Sequence, residues 1–523
     1  MGVIAYLNGG WVSRYLYEFL GNNRARFAAK SWISMLHVYR LKYYGRATMI
    51  SISSSGVRLI LCAVILGVAV STQAAVSIVG DVTPSSVSNW NGTTDAHIGI
   101  SNGQFGSVSI NGGSDLFSAY SYMGYGFGST GTVTISGSGS TWTSEYNTYV
   151  GYEGNATLNI TSGGVFNSPV RGVDIAKQAG SSGIVNVSGS GSAFNVNSVN
   201  VGAEGNAEVT ISAGGTANTG ALYIANGVGS NGKVTVDGSG SKWTITEGNL
   251  YVGLWGEQGV LEISNGGQVH MVDPYGFSDK LTNIAAGSMI DIEISDDNML
   301  QLDHDVYQNG TIRLSARAGL TPGVYTPITQ DSGNWFLSNG TFEVYDGIWD
   351  FAARTYTINA STMGMVSKQT TIDLSTNQHI DVGTKLQVDF TPTTSSEYVD
   401  FSATTTTGQP LVDLQTLLGP DETLEESWDF EVSGLPSGDD VLLSFAVSGQ
   451  PATGEINIWH YEDGSGWSPY TPGDLVVSDG WASFSVDSFS SYALTVVPEP
   501  ASMSLLVLGG MALAIRKRSA TST

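Results

Sequence analysis

Three phrases of this sequence recur at a fixed interval, and that interval restricts the fold more than any other feature. Val150-Gly151-Tyr152-Glu153-Gly154-Asn155, Val201-Gly202-Ala203-Glu204-Gly205-Asn206 and Val252-Gly253-Leu254-Trp255-Gly256 each begin 51 residues after the last. Each leads into an alternating segment that ends in Gly-Gly: TLNITSGGVF (157–166), EVTISAGGTA (208–217) and VLEISNGGQV (260–269), with SVSINGG (107–113) as an earlier member. Midway between them lie VTISGSGSTW (133–142), VNVSGSGSAF (185–194) and VTVDGSGSKW (234–243). The unit is therefore about 25 residues, paired into 51, and a unit of that size buries no core until copies stack. Within it, alternation places Val133 and Ile135 inward and Thr134 toward solvent, and the glycines supply turns that need a left-handed backbone. The expected fold is all-β: a parallel β-helix or β-solenoid over 75–285, of about eight coils and, at roughly 4.8 Å per coil, about 40 Å long.

Composition agrees with such a fold. Of 523 residues, 67 are Gly and only 13% are charged, so turns are frequent and ion-pair networks sparse. Residues 1–74 hold 8 Lys/Arg and 1 Asp/Glu, which leaves 13 basic and 45 acidic residues for 75–523, a balance of −32. A field of that sign repels phosphate backbones and excludes nucleic acid as a partner. The one cysteine, Cys62, lies in the apolar run Leu59–Val70, so no disulfide framework is available to the remainder. The residues before Cys62, Leu59-Ile60-Leu61, lack the small side chain expected ahead of a lipidated cysteine.

Both ends read as addresses. From Met49 a short polar start with Arg58 gives way to about a dozen apolar residues and then to Thr72-Gln73-Ala74, the pattern of a secretion signal (49–74) cleaved by signal peptidase after Ala74. Residues 1–48, basic and aromatic without a clean apolar period, read as translation called too early; an extended n-region or an organellar transit peptide is the alternative. At the other end, Val497-Pro498-Glu499-Pro500 precedes the apolar ASMSLLVLGGMALAI (501–515) and the basic cluster Arg516-Lys517-Arg518. The apolar run is short for a transmembrane helix, and the basic residues favour a cytoplasmic end.

That order of elements over 497–518 resembles the PEP-CTERM sorting signal. The resemblance implies recognition by an exosortase, an integral-membrane processing enzyme, after transient membrane insertion of the tail (496–523). It also implies export to the cell surface or the extracellular space in a setting of exopolysaccharide. Independently, the form V-G-x-x-G followed by V-T-I-S-x-G-G resembles repeats shared by PEP-CTERM proteins and passengers of type V autotransporters, which implies surface fibres or adhesins.

Beyond the repeats, 286–365 reads as a solenoid cap and transition region that includes Gly323-Val324-Tyr325-Thr326-Pro327-Ile328, since an open solenoid end exposes strand edges and core. Segments KLQVDF (385–390), DVLLSFAVSG (440–449), EINIWHY (455–461) and WASFSV (481–486) predict a β-sandwich-like domain over 366–495. Its threonine tract Thr404–Thr407 and the pair Asp421-Glu422 read as surface loops.

Chemistry-bearing clusters are few. Parallel β-helices also carry polysaccharide lyases and hydrolases, which need a basic residue or paired carboxylates. Asp174 between Arg171 and Lys177 reads as a surface ion pair before a catalytic group, and no catalytic residue is assigned. The histidines His97, His270, His304, His379 and His460 are scattered without zinc-ligand spacing. The densest acidic stretch, Asp296-Asp297-Asn298 with Asp303 and Asp305, offers oxygen ligands for calcium but no EF-hand pattern, so no metal or cofactor is expected. Trp142, Phe194 and Trp243 occupy equivalent positions and read as stacked core aromatics, a ligand platform being the alternative. The aromatic-rich run Tyr120, Tyr122, Tyr125, Phe127, Tyr146, Tyr149 and Tyr152 is the best place for carbohydrate contact, although such residues commonly divide between core and surface. The function these readings favour is a non-enzymatic surface or matrix protein, a spacer or adhesin, with a lyase or hydrolase as the alternative.

Overall fold

The computed structural model describes residues 50–54, 57–61, 75–255, 258–272, 280–337, 339–359, 362–391, 398–436, 440–449 and 451–497. The chain divides into two compact units, Met1–Ser71 and Thr72–Thr523. In the first, the strands Ile50–Ser54 and Val57–Leu61 pair antiparallel, Ile50 opposite Leu61. The expected upstream segment 1–48, the apolar run beyond Leu61 and the expected cleavage position Ala74 lie outside the described residues.

The second unit opens with a β-solenoid of about nine turns. Each coil lays one strand on a first sheet and one or two on a second, and each strand pairs in parallel with its equivalent one coil away. On the first sheet Thr130–Ser136, Asn155–Thr161, Ser182–Ser188 and Asn206–Ser212 stack without slippage, so that Val133, Leu158, Val185 and Val209 form a column. All four are fully buried, as are Ile135, Ile160, Val187 and Ile211 two residues along, while the residues between face out. This is the alternation read from the sequence, and full burial of each aliphatic side chain contributes about 1.5–3 kcal/mol. The second sheet carries a matching buried column, from Ile98 through Met123, Val150, Ile175 and Val201 to Ile224.

The recurring Val-Gly has a steric cause. Gly151 sits at φ +84°, and a Cβ there would collide with the carbonyl of Ser182 one coil on. Gly202 repeats the arrangement against Asn231 at φ +82°.

The ladder runs past residue 285: Met289–Ile294, Thr311–Ala316 and Thr341–Tyr345 add parallel strands with Ile290, Ile312 and Phe342 in register. What stops near 267 is the pair of glycine turn phrases, not the stacking; inward alternation persists while the loops between strands change length. At the N-terminal end Ala75–Gly80 folds antiparallel onto Phe105–Asn111, and Trp90 plugs the core, its indole donating to the Pro84 carbonyl at 2.8 Å. At the other end Gly323–Tyr325, Thr355–Ile358 and Ile348–Asp350 form an antiparallel sheet over Phe342, Trp349, Phe351 and Tyr356. Ile328, from the expected closing phrase, still joins the parallel ladder opposite Leu300.

No linker separates the solenoid from the sandwich. Thr341–Tyr345, the last parallel strand, pairs antiparallel with Val366–Asp373, and the same sheet continues through Tyr398–Thr405, Thr423–Ser433, Ser491–Val496, Ile456–Glu462 and Gly466–Tyr470. A second sheet, from Gln378–Val382 through Leu386–Thr391, Asp440–Ala446 and Trp481–Val486 to Val476–Ser478, closes the core around Phe390, Phe401, Leu443, Phe445 and Phe484. One loop reading is corrected here, while Asp421 and Glu422 do lie in a loop. The threonine tract ends a strand, with Thr406 buried and its hydroxyl on Asp429 at 2.7 Å. Glu422 accepts from Thr495, Asn457 and Trp459 and ties its loop to the C-terminal strand. The helix Gly408–Leu417 was not anticipated; it seats Leu414 against Trp467 and Ala493.

Candidate functional site

The tyrosine-rich run folds into one surface tile. Three short strands of the second sheet, Ala96–Ile98, Ser121–Met123 and Thr148–Val150, stack in parallel with His97, Tyr122 and Tyr149 in register. Because Ile98, Met123 and Val150 beside them are fully buried, alternation turns the three rings outward. His97 stacks on Tyr122 at 4.8 Å between centroids, and Tyr122 on Tyr149 at 5.0 Å.

Two further stacks flank that row, Tyr120 on Tyr146 at 5.0 Å and Tyr125 on Tyr152 at 5.4 Å. Tyr152 stands nearly perpendicular to Tyr122, at 85°, so the tile offers rings in two orientations. None of the six tyrosines enters the core: Tyr120 and Tyr146 are exposed and the others half-buried. Phe127 projects from the following turn, 72% exposed.

The central row His97, Tyr122 and Tyr149 is held in its neutral form, and the Asp95 carboxylate borders it, accepting from the Tyr120 amide at 3.2 Å. Burial, then the neighbouring Tyr149 and Asp95, push the Tyr122 phenol up to about 12, and burial raises Tyr149 likewise. Burial pulls the His97 imidazole below its ordinary value against the pull of Asp95. An amphipathic surface of neutral rings edged with hydroxyls suits a ligand with apolar C–H faces and polar rims, and is ill suited to an ion. Aromatic density in the sequence brought Tyr120, Tyr122, Tyr125, Tyr146 and Tyr149 to notice. His97 was missed, although its Ala-His-Ile matches Ser-Tyr-Met and Thr-Tyr-Val in position.

Other sequence candidates resolve differently. Trp142, Phe194 and Trp243 are core residues with no accessible surface, and the two indoles donate to Ser118 and Thr219 at 3.0 Å each. Asp174 pairs with Lys177 at 2.9 Å and accepts from Asn200. The acidic stretch is spread along turns: Asp297 accepts from Thr326, Asp303 from Ser332 and Asp305 from the Asn334 amide. Among the described residues no three His, Cys, Asp or Glu side chains come together as a metal-ligand group. In the sandwich, Ser490, His460 and Glu462 fall in the order of a nucleophile, base and acid. The Ser490 hydroxyl lies 2.7 Å from His460 Nε2 and 2.6 Å from the Tyr461 carbonyl, while Glu462 stands 4.0 Å from the imidazole, beyond hydrogen-bond reach, so the acid of such a set is not in place.

At the C-terminus the Val497 amide donates to the Glu455 carbonyl at 2.8 Å, which continues the pairing of Ser491–Val496 up to the proline motif. Pro498, Glu499 and Pro500, with the apolar run and Arg516, Lys517 and Arg518, lie outside the described residues. Among the described residues no helix is long and apolar enough to cross a membrane.

Comparison with known families matches residues 496–519 to the PEP-CTERM protein-sorting motif. No curated protein and no solved structure matches the chain. The motif makes this an exported, cell-surface-directed protein processed by an exosortase-type membrane enzyme.

Proposed function

We propose that the exported chain is a non-enzymatic spacer and adhesin of the extracellular polysaccharide layer, and that it holds polysaccharide through the tyrosine tile. The observation that carries this reading is the outward stacking of six tyrosines and His97. Sugar rings present C–H faces to aromatic rings and hydroxyls to phenols, so one surface meets both halves of their chemistry. A rod continuous with a folded sandwich holds that surface at a distance from the sorting tail. The acidic balance keeps the rod soluble outside the cell.

The test is retention of the full chain on polysaccharide from the producing cells, beside a Tyr122→Ala/Tyr149→Ala variant. Retention lost in the variant, with unchanged circular dichroism, is the expected result. Equal retention of both proteins would remove the tile from adhesion. Shortening of the polysaccharide during incubation would replace the adhesive reading with a lyase or hydrolase. Mass spectrometry of both termini checks processing, with Ala75 as the expected first residue and the apolar run 501–515 and all that follows it removed.

A further inference from the structure

The row that begins with His97, Tyr122 and Tyr149 does not end at the tile. Parallel register carries the same outward position from coil to coil, to Asp174 and then Asn200. It continues to Tyr223 and Tyr251, which stack at 5.4 Å with 13° between planes. One coil further stands Asn283, and beyond it Tyr307 and Phe336, stacked at 4.9 Å with 18° between planes. The second sheet thus carries a straight line of three aromatic stations separated by short polar rungs, parallel to the solenoid axis.

The rungs are polar, and in the first of them Asp174 is buried with both carboxylate oxygens taken within the chain, which leaves Asn200 as its more open member. Asn226 donates to Asn200 at 2.9 Å, and Asn200 donates in turn to Asp174, whose charge Lys177 neutralises. Tyr307 and Phe336 are exposed, at 37% and 41%, while burial raises the Tyr223 phenol above its ordinary value. A protein partner would favour a contiguous apolar patch, and this line is broken twice by amides. A polyanion meets a chain with an acidic balance of −32 over 75–523. A polycation finds along the row no carboxylate but the one already paired.

Resting on the reading of the tile as a polysaccharide contact, we infer that the ligand is a linear, uncharged glycan. It lies along the solenoid axis, with the tile as the first of three stations on a single track. Successive stations make the attachment of one polymer chain multivalent, so affinity depends on chain length.

The experiment uses the full chain and a panel of neutral linear polysaccharides: hydroxyethylcellulose, galactomannan and xylan, each with its own short oligosaccharide. Alginate and chitosan serve as anionic and cationic comparisons. The informative variant is Tyr223→Asn/Tyr251→Asn, because Asn already stands at this position in the coils of Asn200 and Asn283 and the fold accommodates it. Expected is binding to a neutral polymer about 100-fold tighter than to its short oligosaccharide. In the double variant the polymer affinity should fall about tenfold while the oligosaccharide affinity stays constant. Polymer binding that survives this variant but not Tyr122→Ala/Tyr149→Ala would overturn the track and leave the tile. Preference for alginate or chitosan would overturn the uncharged class. Absence of retention on every polymer would overturn the track and the adhesive reading together.

Discussion

The hydroxyl of Ser192 accepts the backbone N–H of Gly163 at 3.0 Å, reaching across from the turn of one coil to the turn of the preceding coil. Ser140 does the same for Gly113, and Ser241 for Gly214. The last serine of each GSGS turn thus satisfies a glycine in the Gly-Gly turn beneath it, while the hydroxyls of Ser140 and Ser192 donate back to Ser136 and Ser188 at 2.8 Å. The two turn sequences are complementary, and their alternation is why the repeat is 51 residues and not half that.

Replacing Ser192 by Ala removes the acceptor of the Gly163 N–H; Ser192 is fully buried, while Gly163 is half-buried. Loss of one such hydrogen bond costs about 0.5–1.5 kcal/mol. Hydrogen exchange should show the Gly163 amide losing protection by about that amount, with the sandwich amides unchanged. Full protection in Ser192→Ala would show that the clamp contributes nothing.

Gly151→Ala tests the steric account of the repeated Val-Gly. The substitution meets both a left-handed backbone and the carbonyl of Ser182, and together these should cost about 2–4 kcal/mol. Gly128→Ala is the matched control: its φ is +65°, but nothing lies within 4 Å of its Cβ position. Thermal unfolding of the solenoid should fall clearly further for Gly151→Ala than for Gly128→Ala. Equal losses would reduce the effect to backbone conformation alone.

The repeats were legible because every coil asks the same of the same position, so Val133, Val185 and Val234 or Ile160, Ile211 and Ile263 recur as a pattern. The continuation through Met289–Ile294 and Thr311–Ala316 was not, because the turn glycines that announce a coil vanish while the buried alternation remains. Alternation alone also suits an ordinary antiparallel strand. The tile was visible as composition but not as a surface, since a tyrosine is at home on either side of a strand. Only the buried Ile98, Met123 and Val150 decide which way His97, Tyr122 and Tyr149 face. The helix Gly408–Leu417 escaped notice because it holds a single fully buried side chain and carries Pro410 in its first turn.

Acid and base should act on the tile in opposite windows. The Tyr122 phenol has a folded pKa of about 12, above its ordinary value of 10.0, so its contribution to stability is complete below pH 10 and is lost as pH rises through 12. The His97 imidazole is held below 6.5, so the folded state takes up its proton less readily and stability falls as pH drops beneath that value. Polysaccharide retention should therefore be flat from pH 7 to about 9. Urea midpoints of Tyr122→Phe and His97→Gln should lose the alkaline and the acid slope respectively. A wild-type slope retained in either variant would assign that slope to another group.

Glu422 joins the sandwich to its own exit. Ser491–Val496 is the strand that leads into the sorting motif, and it lies between Thr423–Ser433 and Ile456–Glu462. Burial raises the Glu422 carboxyl, but hydrogen bonds from Thr495, Asn457, the Gly419 amide and Trp459 outweigh it and hold the pKa below 4.5. The sign follows: this carboxylate stabilises the fold above its unfolded pKa, and the contribution is lost as pH falls through the lower folded value. In Glu422→Ala the Thr495 hydroxyl, the Asn457 amide and the Trp459 indole all lose their shared acceptor, and the strand nearest the motif loosens. Limited proteolysis should then cut near Val496 faster in the variant than in the wild type. The acid-unfolding midpoint should lose the part of its pH dependence that this carboxylate supplies. Glu422→Gln, which keeps an acceptor and removes the charge, should restore resistance to the protease without restoring that pH dependence. A variant in which both return, or neither, would separate Glu422 from the stability of the terminal strand.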